Sequence, residues 1–165
     1  MFSGWVGDQH GDWDGFKEAL TNIIRSAFKG YLNFGSDIGG YKTDSGSKLG
    51  RTKEVFTRWF QFGALMPFME NGGAGEHRPW VFGNDTLSTY RIFANLHTNL
   101  APFFLSAGTE CYAKNISVLR PLSSPIFINQ PSRFDYILHE TLFVAPFTDN
   151  STNIKLSFSG DNTQK

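Results

Sequence analysis

Three short stretches carry side chains whose chemistry exceeds what a core or a surface requires. Trp5 and Asp8 stand in Trp5-Val6-Gly7-Asp8, Asp37 and Tyr41 in Gly35-Ser36-Asp37-Ile38-Gly39-Gly40-Tyr41, and Glu70 and Asn71 close Pro67-Phe68-Met69-Glu70-Asn71. Aspartates grouped with aromatic rings suit hydrolysis of a glycosidic bond. One carboxylic acid protonates the leaving oxygen while a second carboxylate attacks or activates water. Rings cover the apolar face of a sugar, and carboxylates accept from its hydroxyls. A plainer reading stands beside this one, since an aspartate next to glycine commonly caps a helix or turns a loop. Asp8 taken alone reads that way.

The elements around these stretches decide whether they can meet. From Asp12 to Lys29, Trp13, Phe16, Leu20, Ile23, Ile24 and Phe28 recur at spacings of three and four, which predicts an amphipathic helix capped by Asp12 and stopped by Gly30. Tyr31 to Phe34 reads as a strand, Thr43 to Gly50 as a polar loop and Thr52 to Phe62 as a second helix. Leu65 to Met69 reads as another strand, followed by the glycine-rich loop Asn71 to Gly75. Leu87 to about Lys114 predicts a long helix kinked at Pro102. Beyond Asn115 the pieces are short and β-rich: Ile116 to Leu119, Ile126 to Ile128, Thr141 to Val144 and Ile154 to Phe158. Alternating strands and helices predict an α/β layer with parallel pairing, and the tail predicts a separate all-β element. The three candidate stretches then fall at strand ends, where such architectures collect functional side chains.

Composition narrows the partners. The chain has 165 residues with 15 basic and 15 acidic side chains, so it carries no charge footprint for nucleic acid or an anionic membrane. Only 18% of residues are charged, whereas there are 17 Phe, 5 Tyr and 4 Trp. That balance suits an uncharged substrate or faces covered by more protein. No apolar run approaches the roughly 18 residues of a membrane span. The lone Cys111 cannot form an internal disulfide, and neither a metal nor a cofactor is expected. A chain this long is also short of a complete (β/α)₈ barrel, which takes about 250 residues.

Taken together, the segments resemble glycoside hydrolase family 31. Trp5-Val6-Gly7-Asp8 followed by Trp13 is similar to its acid/base motif. Gly35 to Tyr41, Arg58-Trp59-Phe60-Gln61-Phe62-Gly63-Ala64, Pro67 to Asn71 and Arg78-Pro79-Trp80 then follow in the family's order. Arg120-Pro121-Leu122 and Leu142-Phe143-Val144-Ala145-Pro146 look like the barrel exit and the start of the C-terminal β-domain. The resemblance covers nearly all of residues 4 to 147. It implies a partial (β/α)₈ TIM barrel, with strands six to eight and their helices in residues 1–115 and a β-sandwich domain beginning in 116–165. It also implies a retaining α-glycosidase acting on an oligosaccharide or glycoside, with Asp8 as acid/base and Trp5, Asp37, Tyr41, Asn71 and His77 around the sugar.

Two departures from the family pattern matter. Its nucleophile sits on barrel strand four, upstream of everything present here. The resemblance therefore implies that this chain supplies the acid/base, lacks the nucleophile and is inactive alone; the missing half of the barrel becomes a candidate partner. The alternative is a non-catalytic remnant that binds carbohydrate or docks on another protein. After strand eight the family has Arg-Asn-His, where this sequence has Glu70-Asn71-Gly72. His77 either replaces that histidine or is a loop residue supporting Trp80. No signal peptide is read at Met1, so the sequons at Asn84, Asn115 and Asn150 read as chance matches of a short tripeptide; they would matter if the chain belongs to a longer secreted protein.

Overall fold

The computed structural model describes residues 3–122 and 134–154. The element order is β1 (Ser3–Trp5), α1 (Trp13–Phe28), β2 (Asn33–Gly35), α2 (Lys53–Gly63), a 3₁₀ turn (Pro79–Phe82), α3 (Asn84–Asn99), α4 (Ala101–Lys114), β3 (Leu119–Pro121), β4 (Tyr136–Leu138) and β5 (Leu142–Val144). Helix α1 forms where its periodicity predicts. The Asp12 carboxylate accepts from Gly15 N–H at 2.7 Å, a cap worth about 1 kcal/mol over alanine. Gly30 ends the helix with φ +78°, a conformation glycine adopts without strain. In α2, Thr52 caps Val55 N–H, and Val55, Phe56, Trp59, Phe60 and Phe62 turn inward.

The parallel pair β1–β2 has the register Ser3↔Asn33, Gly4↔Phe34, Trp5↔Gly35. Alternation along a strand gives it two unlike faces. One packs on the helices: Ser36 Oγ accepts from Trp59 Nε1 at 2.8 Å, and Trp59 lies against Phe16 with ring centroids 4.9 Å apart. Phe16, Phe56 and Phe60 are fully buried in the same layer, each contributing about 1.5–3 kcal/mol relative to exposure. The opposite face carries Trp5, Gly35 and, continuing the alternation, Asp37. Only here does the segment expected to be a third strand join. Leu65 to Met69 begins as a helical turn, with Leu65 N–H on Phe62 O and Met66 N–H on Gly63 O, and reaches the sheet through one parallel bridge, Asp37↔Glu70.

The long helix expected over 87–114 is two helices. Pro102 has no N–H to give and its ring opposes the carbonyl four residues back, so the chain breaks at Leu100 and restarts at Ala101. The tail forms an antiparallel sheet, β3–β4–β5, whose β4 had no counterpart in the expected strands. Val118 N–H donates to Leu32 O at 2.8 Å and ties it to the first layer, while His139 N–H donates to Val118 O at 2.6 Å within the tail. The strand expected at Ile126–Ile128, and all of Ile154–Phe158 after its first residue, lie outside the described residues.

Candidate active site

The loop after β1 is pinned on both sides of Asp8. Val6 N–H donates to Gly35 O at 3.0 Å, Gln9 Nε2 donates to Val6 O at 3.0 Å, and Lys42 N–H donates to Gln9 O at 2.9 Å. Gly7 turns between these anchors with φ +96°. Asp8 is left exposed at the tip, beside the end of β2. Gly40 permits this close approach of the two loops, because a Cβ there would meet the His10 carbonyl oxygen at 2.6 Å.

Asp37 is the buried member of the group, 6% exposed, and its Oδ2 has no hydrogen-bond partner among the described residues. Burial first, and then the charge of Asp8, push its carboxyl above the ordinary aspartate value. Glu70, in register with Asp37 and so on the same face, is pushed up by burial and by Asp37. Three carboxylates and the Trp5 ring thus gather on the face that the helices leave free. Trp5 is 52% exposed and Tyr41 is exposed at the end of the second loop.

Asn71 and His77 are placed elsewhere. The Asn71 amide donates to the Tyr90 hydroxyl of α3 at 2.9 Å, toward the helix layer. His77 lies just past the glycine-rich loop, its ring nitrogens buried. Burial and then the nearby Arg51 charge hold His77 below the ordinary histidine range, opposed by the Ile38 and Ala74 backbone and by Glu76. Between them, Gly72 backs onto Asp37; a Cβ there would lie 3.0 Å from Asp37 Oδ1.

A model of the glycosyl hydrolases family 31 TIM-barrel domain matches residues 1–107. The chain belongs to glycosyl hydrolase family 31. Among family 31 relatives, an α-glucosidase of Mucor javanicus is 27% identical over 163 residues, covering 94% of this chain and 18% of that enzyme. A sulfoquinovosidase of Escherichia coli is 30% identical over 157 residues, covering 86% of this chain and 22% of that enzyme. The fold matches a xylosidase from Aspergillus niger with a TM-score of 0.76 at 20% identity, over 88% of this chain and 24% of the other. This family 31 chain therefore spans about a fifth of the length of the relatives it matches.

The family 31 motifs are braced by a residue that their spacing does not reveal. Arg51 is fully buried and donates from Nε to Gly39 O at 2.7 Å and from Nη2 to Gly40 O at 3.0 Å and Ala74 O at 2.7 Å, while Nη1 donates to Glu76 O. One guanidinium thus joins the loop behind Asp37 to the glycine-rich loop. Glu76 is held at the loop's rim by Arg78, whose guanidinium draws its carboxyl down to about 2.

The raised carboxyls make a pH prediction. A group with a higher pKa folded than unfolded stabilises the protein below its unfolded value, near 3.8 for aspartate, and that stability is lost as pH rises through the folded value. Asp37→Asn is therefore expected to raise stability at pH 7, with the gain disappearing toward pH 3.5. Urea midpoints at the two pH values measure it, and an equal change at both would refute the linkage.

Proposed function

We propose that this chain is the acid/base-bearing part of a retaining α-glycosidase. On this reading residues 1–115 form barrel strands six to eight with their helices, residues 116–165 begin the β-domain, and the remainder of the barrel supplies the nucleophile. The helix-free face of β1–β2 becomes the barrel interior. The observation that carries the reading is the convergence of exposed Asp8 with buried, unpartnered Asp37 and the Trp5 ring at adjacent strand ends.

In the first step Asp8 gives its proton to the glycosidic oxygen as the bond from that oxygen to the anomeric carbon breaks. The nucleophile carboxylate then holds the glycosyl group as an ester. In the second step water attacks the anomeric carbon, the ester bond breaks, and the Asp8 carboxylate takes the water's proton. Asp37 accepts from sugar hydroxyls with its buried, unpartnered carboxylate, and Trp5 and Tyr41 form the aromatic walls. Substrate contact by Asn71 and His77 requires residues 71–77 to shift, because the Asn71 amide is engaged by Tyr90 and His77 lies behind with Arg51.

Proton NMR of an aryl α-glycoside during hydrolysis by the assembled barrel tests this. The first-formed sugar should be the α-anomer, and the 165-residue chain alone should give no turnover. A β-anomer, or hydrolysis by the chain alone, would sink the assignment. The wide exposure of Trp5 favours a second reading, a non-catalytic carbohydrate-binding or partner-docking remnant. Sugar binding without turnover in the assembled barrel would select it.

A further inference from the structure

We propose that the Asp37–Glu70 carboxylate pair gives this site a preference for a glycoside bearing an ammonium group, an amino sugar, over its neutral counterpart. The inference rests on the glycosidase reading above and names the substrate class of that same site.

The pair is set by the backbone. Asp37 and Glu70 face each other across a parallel bridge, closed by Ile38 N–H on Glu70 O at 3.0 Å, so both side chains leave the same side of the sheet. Strand neighbours of this kind are about 4.8 Å apart, a spacing at which like charges repel unless something positive stands between or before them. Asp37 is 94% removed from solvent by its 6% exposure, yet its Oδ2 meets no donor. A buried carboxylate oxygen without a donor is costly and is normally satisfied by a partner. Gly72 lies against the other oxygen of this carboxylate, where a Cβ would come within 3.0 Å of Asp37 Oδ1, so a side chain there would crowd the pair.

The nearby cations do not fill the role. Arg51 spends its donors on the carbonyls of Gly39, Gly40, Ala74 and Glu76, and Arg78 is bound to Glu76. Lys42, exposed beyond Tyr41, is absent from the charges acting on Asp37 or Glu70. Two carboxylates on one face suit an ammonium, whose N–H groups can donate to both with charge-assisted hydrogen bonds. An ammonium at the sugar ring or its exocyclic carbon would donate to Asp37 Oδ2 and sit against Glu70. The same charge disfavours sugars with a carboxylate or sulfonate.

The test is binding to the 165-residue chain at pH 7, read by calorimetry and by the indole N–H signal of Trp5. The probes are methyl 4-amino-4-deoxy- and 6-amino-6-deoxy-α-D-glucopyranoside, methyl α-D-glucopyranoside, methyl α-D-glucuronide and ethylammonium. One of the amino glycosides should bind at least tenfold tighter than the neutral glycoside. Glu70→Gln should erase that preference, and Asp37→Asn should weaken the binding of amino and neutral sugars alike. Equal binding of amino and neutral sugars, both lost in Asp37→Asn, overturns the preference and leaves the glycosidase reading intact. Ethylammonium binding as well as the amino sugars overturns it too, since the attraction would then be for charge alone. No binding of any sugar overturns the preference, whereas the glycosidase reading falls only to the anomer test in the assembled barrel.

Discussion

Asparagine in place of Asp8 is expected to lower kcat on a disaccharide or alkyl glycoside by about 10²–10⁴-fold in the assembled barrel, the range that positioned acid/base groups contribute. The side chain keeps its size but can neither deliver a proton to the leaving oxygen nor take one from water. The size of the loss should follow the leaving group. An aryl glycoside whose phenol departs without protonation should form the glycosyl ester at nearly the normal rate and stall at the second step. Added azide, which needs no general base, should then release a glycosyl azide and restore turnover. Asp8 is exposed at the tip of an anchored loop, so the substitution should leave the urea midpoint unchanged. A variant that keeps full activity on disaccharides would remove Asp8 from the mechanism.

Arg51→Met should destabilise the chain by about 3–5 kcal/mol, at the upper end for a single substitution. Four carbonyl oxygens, from Gly39, Gly40, Ala74 and Glu76, lose a charged donor at once, and a buried acceptor left alone costs about 1–3 kcal/mol. The total falls short of four full penalties because the glycine-rich loop can turn some carbonyls to water. For a domain of this size that loss lowers Tm by about 10 °C. Arg51→Lys tests the geometric part of the claim. A lysine keeps the charge but is a point donor that cannot fork to four carbonyls, so most of the loss should persist. Recovery of wild-type stability with lysine would mean that charge, not shape, holds the loops. Urea unfolding followed by circular dichroism reads both variants.

What could be read in advance depended on whether the signal was local. Helix α1 and its Asp12 cap were legible because three- and four-residue spacing and a capping carboxylate are properties of neighbouring residues. Trp5, Asp8 and Asp37 were legible as a group because parallel strands place their ends together. The third strand was not, since Met66 is drawn into the turn that finishes α2 before the chain extends to Glu70. Arg51 was invisible for a different reason. It lies in a polar stretch, and all its partners are backbone carbonyls, which carry no residue identity. Glu70 was legible as a carboxylate at an expected strand end; its register opposite Asp37 had to come from the sheet.

The unequal surroundings of the indoles give the chain a built-in pair of optical reporters. Trp59, at 0% exposure with its N–H bound to Ser36, should emit at short wavelength and shift red only when the helix layer opens. Trp5, half in solvent on the free face of the sheet, should emit at long wavelength and respond to whatever settles on that face. Iodide, which quenches only indoles it can touch, would silence Trp5 and the exposed Trp80 and spare Trp59. A sugar that stacks on Trp5 should protect it from iodide without moving the Trp59 band. Occupancy and unfolding could then be followed in one cuvette, in the unlabelled protein.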